Sequence, residues 1–412
     1  MQGLLKNHAE IIYKTAIEEN MPLPAVKKAL GNASFCGKVV LVSIGKAGWE
    51  MAKTAYEILG DKINCGVVIT KYEHAKGKIG NLEIYEAGHP VVDFKGISAT
   101  KRALELTSGL NENDTVLFLV SGGGSALFED VECSLEKMQA LTKALLHSGA
   151  TINEMNAIRK HISNVKGGKF ACHVSPARVY AVVLSDVVGD DLSTIASGPA
   201  TADNTSVEDC LDILENYGIA LDSDVLNLIK RETPKEINNA VHMVSGSVRE
   251  LCQSGARAAQ KLGYKALVID NSVTCDAKEI ARKIGELAKE NKDTKDPLAI
   301  FFGGEVTIKV KGTGKGGRNQ ELALMCAEKI KECENMAVFC VGSDGTDGPT
   351  DAAGGYVDTN TWENIGKIGK SATEYLNNND SYNALKLTDG LIFTGPTGTN
   401  VNDLYALLIQ PK

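Results

Sequence analysis

The chain has 412 residues, of which 43% are hydrophobic, and a formal net charge of −8 at pH 7. This length allows two domains with separate cores, and an acidic chain without a basic patch argues against nucleic-acid binding. The ten cysteines are scattered singly from Cys36 to Cys340 without zinc-like spacing, so we expect reduced thiols in a cytoplasmic protein. No apolar stretch is long enough to span a membrane.

The first half of the chain alternates short apolar runs with helical patterns. This alternation is typical of a doubly wound parallel sheet with helices on both faces, an α/β fold. Thr151 and Glu154 have the spacing of a capping box, and Ser134 and Gly149 mark the two ends of another predicted helix. The predicted strands of this half are Lys38–Ile44, Gly66–Thr70, Thr115–Ser121 and Val179–Ser185.

A second series of strands follows a weakly patterned stretch. The residues from Asp222 to Asn239 are polar and interrupted by Pro234, which is typical of a domain boundary. We therefore predict an N-terminal domain at residues 1–235 and a second α/β domain at residues 236–412. The predicted strands of the second domain are Lys265–Ile269, Leu298–Phe302, Thr307–Val310, Met336–Val341, Leu391–Phe393 and Ala406–Gln410.

Glycine and polar residues follow nearly every predicted strand. Ligands of open α/β sheets bind outside the carboxyl ends of the strands, where exposed backbone N–H groups hold anions and carboxylates hold Mg²⁺. Such loops in both halves predict a ligand-binding cleft between the two domains. The loops are Ser43–Gly48, Ser121–Ser125, Ser185–Asp191, Gly303–Glu305, Gly342–Asp351 and Thr394–Asn400.

Two basic residues in these loops are the candidate catalytic cations. Lys46 precedes a predicted helix, where a cation is unfavourable unless an anion occupies the site, so we expect it to neutralise a transferring phosphoryl group. The Walker A pattern is missing, which excludes a P-loop enzyme. The segment Lys311–Glu321 contains GxGxxG, a weak dinucleotide signal, but its preceding run alternates in polarity. We interpret Arg318 in this segment as a bidentate clamp for phosphate or carboxylate.

Acidic loop residues most often serve only to cap turns, but phosphoryl transfer needs carboxylates for Mg²⁺ and often one to accept a proton. The predicted metal ligands are Asp186, Asp190, Glu305 and Asp344, with Asp186 also the candidate catalytic carboxylate. For each group the alternative to ligand contact is a structural role. The glycine triplet then forms only a tight turn, His89 is only a turn residue, and Arg159 lies on a solvated helix face. The candidate substrate- or nucleotide-binding residues are Ser43, Gly45, His89, Ser121, Gly122, Gly123, Gly124, Ser125, Arg159, Gly303, Gly304, Asn319, Thr397 and Asn400.

Nine strings, taken together and in order, resemble the class II glycerate 2-kinases, the family with a C-terminal MOFRL domain. They are SIGKAG, AGHP, SGGGSAL, NAIRKHISNVKGGK, SDVVGDDLSTIASGP, GGE, GGRNQELAL, SDGTDGPTDAAGG and TGPTGTNVNDL. The resemblance runs from about residue 8 to residue 408. It implies a Rossmann-like N-terminal domain, a divalent cation, and transfer of the γ-phosphoryl group of ATP to the 2-hydroxyl of D-glycerate. The family's catalytic lysine and arginine match Lys46 and Arg318, whereas Gly48 replaces an alanine found in many relatives.

Two other functions stay open. Some members of the family carry an old name as hydroxypyruvate reductases, so an NAD(P)H-dependent reductase is the first alternative. A non-catalytic protein that binds an anionic metabolite is the second. We expect D-glycerate and ATP as small-molecule partners, and a homodimer is left open.

Overall fold

The computed structural model describes residues 2–31 and 33–412. None of the helices among these residues combines the length and apolar character needed to cross a bilayer. The strands are β1 (Val39–Ile44), β2 (Ile63–Lys71), β3 (Glu83–Ala87), β4 (Thr115–Val120), β5 (Arg178–Leu184), β6 (Ala240–Gly246), β7 (Lys265–Val273), β8 (Leu298–Gly304), β9 (Met336–Gly342), β10 (Gly354–Asp358), β11 (Leu391–Ile392) and β12 (Asp403–Ile409).

The helices vary from one turn to five turns in length. They are α1 (Gln2–Glu19), α2 (Pro22–Leu30), α3 (Gly48–Leu59), α4 (Phe94–Leu106), α5 (Gly124–Leu127), α6 (Leu135–Ser148), α7 (Ile152–Ile162), α8 (Lys169–Val174), α9 (Val207–Asn216), α10 (Ser223–Ile229), α11 (Val248–Lys261), α12 (Ala277–Glu290), α13 (Arg318–Ile330), α14 (Thr361–Lys367), α15 (Ala372–Asn377) and α16 (Ser381–Lys386).

The first sheet has the strand order β3-β2-β1-β4-β5-β6, and β1 to β5 pair in parallel. Every residue of β1 and β4 is buried, as expected for continuous apolar strands covered on both faces. One face packs on an aromatic cluster of Phe118, Phe128 and Phe170, whose ring centroids lie 5.0–5.7 Å apart. The four strands predicted in this half and the predicted helix caps are confirmed.

The second sheet is mixed and has the order β11-β10-β9-β12-β8-β7. β12 runs antiparallel to both of its neighbours, while β7 and β8 are parallel. The α/β class of this half is confirmed, but the predicted strand Thr307–Val310 is wrong. Thr307 forms only an isolated bridge, and beyond it the Asn379 side chain accepts hydrogen bonds from the backbone of Lys311 and Gly312. A side chain therefore takes the place of a partner strand.

The compact units differ from the predicted domains. The contacts divide the chain into Ala25–Ser245 and a second unit of Met1–Pro24 with Gly246–Lys412. The predicted boundary at 235/236 is too early because β6 still belongs to the first sheet. The N-terminal helix α1 belongs to the second unit because its apolar face, including Ile12 and Ala16, packs in one core with Leu251 and Phe339.

Asp347 fixes the N-terminus of α13, the helix that begins with Arg318. Its buried carboxylate accepts hydrogen bonds from the backbone of Asn319 (3.1 Å) and Gln320 (2.8 Å) and from the Gln320 amide (2.9 Å). A Cβ atom at Gly317 would overlap this carboxylate, which explains the glycine. Burial raises the pKa of Asp347, although these hydrogen bonds oppose the rise. One aspartate thus satisfies two of the free backbone N–H groups of the helix end.

We expect Asp347→Ala to lower the free energy of unfolding by about 2 kcal/mol, because it leaves buried helix N–H groups without acceptors. Urea unfolding followed by circular dichroism measures this change. Asp344→Ala is the matched control, since among the described residues the Asp344 carboxylate accepts hydrogen bonds only from Thr346 within its own turn. An equal loss in both variants would contradict the capping role of Asp347.

Candidate active site

The loops after β1 and β4 lie against each other in the first unit, because parallel neighbouring strands end at the same sheet edge. The backbone N–H of Lys46 donates to the carbonyl of Gly122 (2.9 Å), and that of Ala47 donates to Ser121 Oγ (3.1 Å). Gly45 has a φ of 109°, and a Cβ atom there would overlap Ser121. The glycine at residue 45 therefore permits this close approach.

Gly122 and Gly123 lie between catalytic candidates from three other loops. A Cβ atom at Gly122 would overlap the Asp186 carboxylate. A Cβ atom at Gly123, whose φ is 88°, would lie 2.9 Å from His89 Cδ2 and 3.4 Å from Lys46 Cγ. The bare backbone of this glycine pair thus lets Lys46, His89 and Asp186 converge. The sequence predicted each of the three as a site residue, but not how they lie around the two glycines.

A pocket of about 280 Å³ opens at this point, entirely within the first unit. It is lined by His89, the glycine pair, Ser125, Asp186 and, from α7, Asn156 and Arg159. Asn156 was not among the predicted site residues, and its only signal is its position one helical turn before Arg159. Three polar groups with different chemistry therefore face one small space: a carboxylate, an imidazole and a guanidinium.

Arg159 has hydrogen-bonding capacity that the protein does not use. Its Nη2 donates to the Ser125 carbonyl (2.9 Å), but its buried Nε has no hydrogen-bond acceptor among the described residues. Burial lowers the pKa of Arg159, and the charge of Glu129 opposes this effect. Because an unpaired buried donor is costly, this guanidinium is suited to a carboxylate ligand.

Asn156 is held in place by a chain of side-chain hydrogen bonds. Its Oδ1 accepts from Ser197 Oγ, and Ser197 Oγ also contacts Ser125 Oγ, both at 3.1 Å. The amide oxygen is therefore used by the protein, which leaves the amide NH₂ group to face the pocket. Ala196 and Ser197, with φ of 51° and 60°, are both left-handed. Such conformations are unfavourable for residues other than glycine and cluster at functional sites.

The positive charge of Lys46 is not neutralised within the part of the chain that the structure describes. The side chain is exposed and forms no ion pair there, while its own carbonyl contacts His74 Nδ1 (3.0 Å). Burial, and then the charges of Lys46, Lys71 and His74, lower the pKa of His89. The His89 ring is therefore neutral at neutral pH. Lys46 is the positively charged group beside the glycine pair.

Three predicted site residues have structural roles that explain why these residue types occur there. Ser43 is buried and donates to the Gly48 carbonyl (2.7 Å). In the second unit, a Cβ atom at Gly303 would overlap Cys252, and one at Gly304 would overlap the backbone of Val273. Ligand contacts by these three residues stay predictions.

The other predicted residues of the second unit form hydrogen bonds within their own loops or to a neighbouring loop. Asn319 donates to Asp347, Thr397 donates to the Ser343 carbonyl (2.6 Å), and Asn400 accepts from the Asn402 backbone (3.3 Å). Asp344 accepts from the Thr346 backbone (2.9 Å). These bonds shape the loops, and ligand contacts by these residues stay predictions.

The predicted metal ligands are not gathered into one cluster. Asp186 and Asp190 lie in the first unit and Glu305 and Asp344 in the second. Among the described residues, no three His, Cys, Asp or Glu side chains are placed to hold a metal ion. Asp190 has one buried carboxylate oxygen without a hydrogen-bond partner among those residues. Mg²⁺ commonly uses one or two carboxylates together with substrate phosphates, so such a site needs no larger cluster.

Arg318 carries the predicted charge, but two carboxylates already occupy its guanidinium group. It binds Asp403 through Nε (2.6 Å) and Nη2 (3.1 Å) and contacts Glu305 through Nη1. Burial would lower the pKa of Arg318, but the two carboxylates raise it overall. The predicted bidentate geometry is therefore present with Asp403 as the partner, a residue that the sequence analysis missed at the start of an apolar strand.

Asp403 is fully buried and forms the fixed side of this ion pair. Its side chain is 2% exposed, whereas that of Glu305 is 46% exposed. Burial raises the pKa of Asp403 to about 6, and Arg318 offsets only part of this rise. Any anion that approaches Arg318 would exchange with Glu305, because the Asp403 contact is enclosed.

Two family models and several known proteins match this chain. Residues 8–230 match the family described as a domain of unknown function, DUF4147, and residues 298–403 match the MOFRL family. The D-glycerate 2-kinase of Thermotoga maritima is 52% identical over 412 residues, 98% of each chain, and the glycerate 2-kinase of Pyrococcus horikoshii is 41% identical over 91% of this chain and 88% of its own. Two proteins of Agrobacterium vitis, 37% and 35% identical, carry a hydroxypyruvate reductase name.

A solved structure shows the same fold along the whole chain. The crystal structure of glycerate kinase from Thermotoga maritima covers 100% of both chains, with a TM-score of 0.95 and 51% identity. The two matched domains, the high identity and the shared fold lead to one conclusion: the chain belongs to the glycerate kinase family with a C-terminal MOFRL domain.

Proposed function

We propose that this protein transfers the γ-phosphoryl group of ATP to the 2-hydroxyl of D-glycerate, with Mg²⁺ as the cation. The observation that carries the proposal is the pocket beside Gly122 and Gly123. Its lining combines an incompletely bonded guanidinium and a carboxylate around a space suited to a small hydroxy acid. Lys46, which forms no ion pair among the described residues, lies beside Gly123 at its edge. Family membership supports the reaction class, and the pocket supports the roles proposed below for individual residues.

Arg159 and Asn156 form the proposed binding site for the carboxylate of glycerate. The free N–H of Arg159 and the amide NH₂ of Asn156 are both donors, and a carboxylate offers matching acceptors. A charge-assisted bond of this kind also removes the cost of the unpaired buried donor. The acceptor would thus be oriented by two residues of one helix.

The glycerate hydroxyl would then react near Asp186 and Lys46. The hydroxyl oxygen forms a bond to the γ-phosphorus as the bond from that phosphorus to the bridging oxygen of ADP breaks. Asp186 accepts the hydroxyl proton, and the Lys46 ammonium stabilises the negative charge on the transferring group. The neutral His89 ring is a hydrogen-bonding group for the substrate rather than a second cation.

Asp190 and Asp186 are the candidate residues for the cation. The unpaired buried oxygen of Asp190 fits a hard cation, and Mg²⁺ bound there would neutralise phosphate charge. Within its own unit, Arg318 is a candidate to bind an anion at the position that Glu305 occupies. The ten cysteines form no disulfide among the described residues, which supports a reducing, cytoplasmic location. A homodimer stays a prediction.

The GxGxxG segment is the main sequence feature in favour of the reductase alternative, and its packing argues against that use. Cβ atoms at Gly312 and Gly314 would overlap the segment Asn378–Asp380, and one at Gly317 would overlap the Asp347 carboxylate. These glycines therefore allow close packing of the protein on itself. The preceding strand β8 ends at Gly304 and does not lead directly into them, whereas a strand directly precedes a dinucleotide-binding turn. Nothing in the described residues favours the non-catalytic alternative either.

A coupled assay tests the proposed reaction. The protein is incubated with D-glycerate, ATP and Mg²⁺, and the product is measured with enolase in the presence and absence of phosphoglycerate mutase. We expect a signal with enolase alone, because 2-phosphoglycerate is its direct substrate. A signal that needs the mutase would place the transfer on the 3-hydroxyl, and oxidation of NADPH by hydroxypyruvate without any ADP formation would establish the reductase instead.

Arg159→Lys tests the carboxylate site. We expect the KM for D-glycerate to rise at least about tenfold, because lysine cannot reproduce a bidentate contact, while the KM for ATP stays the same. Arg178→Lys is the matched control, since Arg178 is an exposed arginine of the same unit outside the pocket. A parallel loss for both substrates, or an equal effect of the control, would refute the assignment.

A further inference from the structure

A second and larger pocket, of about 520 Å³, lies within the unit that contains the second sheet. One face of α13, the start of α12, the segment after β8 and helices α14 and α15 form its walls. No residue assigned above to the reaction lines it. Its volume is in the range typical of small-molecule binding sites.

The pocket is rich in cations although the whole chain is acidic. Two of its basic residues form ion pairs on their own helices, Arg282 with Glu286 and Lys329 with Glu328. The other three have no acidic partner within ion-pair distance in the part of the chain that the structure describes. These three are Lys278, Lys309 and Lys311. Unpaired lysines that converge on one cavity favour a ligand with several negative charges.

One wall of the pocket offers a buried acceptor. Glu321 is 4% exposed and lines the pocket, and the Asn379 amide donates to both of its oxygens (2.9 and 3.0 Å). Burial raises the pKa of Glu321. A carboxylate has about four acceptor positions, so this one can take further hydrogen bonds from a ligand. The wall therefore favours a neutral group with N–H donors.

Apolar side chains also line this pocket. Met325 and Leu376 line the pocket together with the half-buried Trp362. An indole ring and a thioether suit the flat face of an aromatic heterocycle. Inorganic phosphate would leave both this wall and Glu321 unused, and a sugar phosphate would leave the apolar wall unused.

We propose that this pocket binds a purine nucleotide, with its phosphates on Lys278, Lys309 and Lys311, its ring against Trp362 and its amino group on Glu321. The assignment stands on this pocket alone and does not depend on the reaction proposed above. The nucleotide is either the phosphoryl donor or a second nucleotide, and the chemistry of recognition is the same in both cases.

Tryptophan fluorescence tests the site directly, because the chain has only two tryptophans. In a Trp49→Phe variant, Trp362 is the sole reporter, and we expect a saturable change on titration with ATP or ADP. Adenosine and inorganic triphosphate, which carry one half of the ligand each, should bind more weakly. If that variant is unstable, the difference between wild type and Trp362→Phe gives the same signal.

A charge variant separates this site from unspecific binding. Lys309→Gln with Lys311→Gln should weaken the Kd for ATP roughly tenfold, whereas Lys265→Gln, an exposed lysine of the same unit outside the pocket, should not change it. A Trp362 signal that does not saturate with any nucleotide, or a Kd that is unchanged in the double variant, would overturn the proposal.

Kinetics then distinguish the two sources of the nucleotide. A rise in the KM for ATP with an unchanged KM for D-glycerate in the double variant would identify the bound nucleotide as the donor. An unchanged KM for ATP together with weakened binding at Trp362 would identify a second nucleotide. Saturable binding without glycerate phosphorylation would refute only the proposed reaction, and full kinase activity without binding at Trp362 would refute only this pocket.

Discussion

The close approach of side chains to the bare backbone at Gly122 and Gly123 is the constraint on which the active site depends. Any side chain at Gly122 would displace Asp186, and any at Gly123 would displace His89. The parallel pairing of β1 with β4 and of β4 with β5 brings the three loops to one sheet edge. The sheet therefore sets the approximate position of each loop. The absence of Cβ atoms at Gly122 and Gly123 then lets the side chains come into contact with the backbone.

The two units hold their central cations in opposite ways. Lys46 is exposed without an acidic partner among the described residues, so its charge is available to a ligand. Arg318 is bound to Asp403 on a buried side and to Glu305 on a more exposed side. A fixed guanidinium has a defined orientation, but part of its charge is already compensated. A ligand would thus gain more from Lys46 than from Arg318, unless Glu305 moves.

Much of the first unit could be predicted from the sequence because its signals are local. Continuous apolar runs indicate buried parallel strands, and the glycine-rich loops after them mark the sheet edge. The second unit was harder, because antiparallel pairing and the Asn379 contacts that replace a strand depend on residues distant in sequence. The membership of α1 in the second unit was likewise invisible, since periodicity shows that a helix has an apolar face but not which core covers it.

The same limit applies to the site residues. Lys46 and Asp186 follow predicted strands and could be proposed from position alone, whereas His89 follows β3, a strand that the sequence did not predict. Asn156 and Asp403 could not be proposed in this way, because no strand end or glycine-rich loop marks them. Gly303 and Gly304 follow a strand as Gly122 and Gly123 do, but they are required by packing against Cys252 and Val273. A glycine motif predicts a close approach, and only the structure shows whether protein or ligand approaches.

The central claim is that the uncompensated charge of Lys46 stabilises the transferring phosphoryl group. The most direct test is the kcat of Lys46→Ala, measured with the melting temperature and compared with Lys62→Ala, an exposed lysine of the same unit. We expect kcat to fall roughly 10²- to 10³-fold with an unchanged melting temperature, and the control to keep full activity. Wild-type turnover in Lys46→Ala, or a loss explained by unfolding, would contradict the claim.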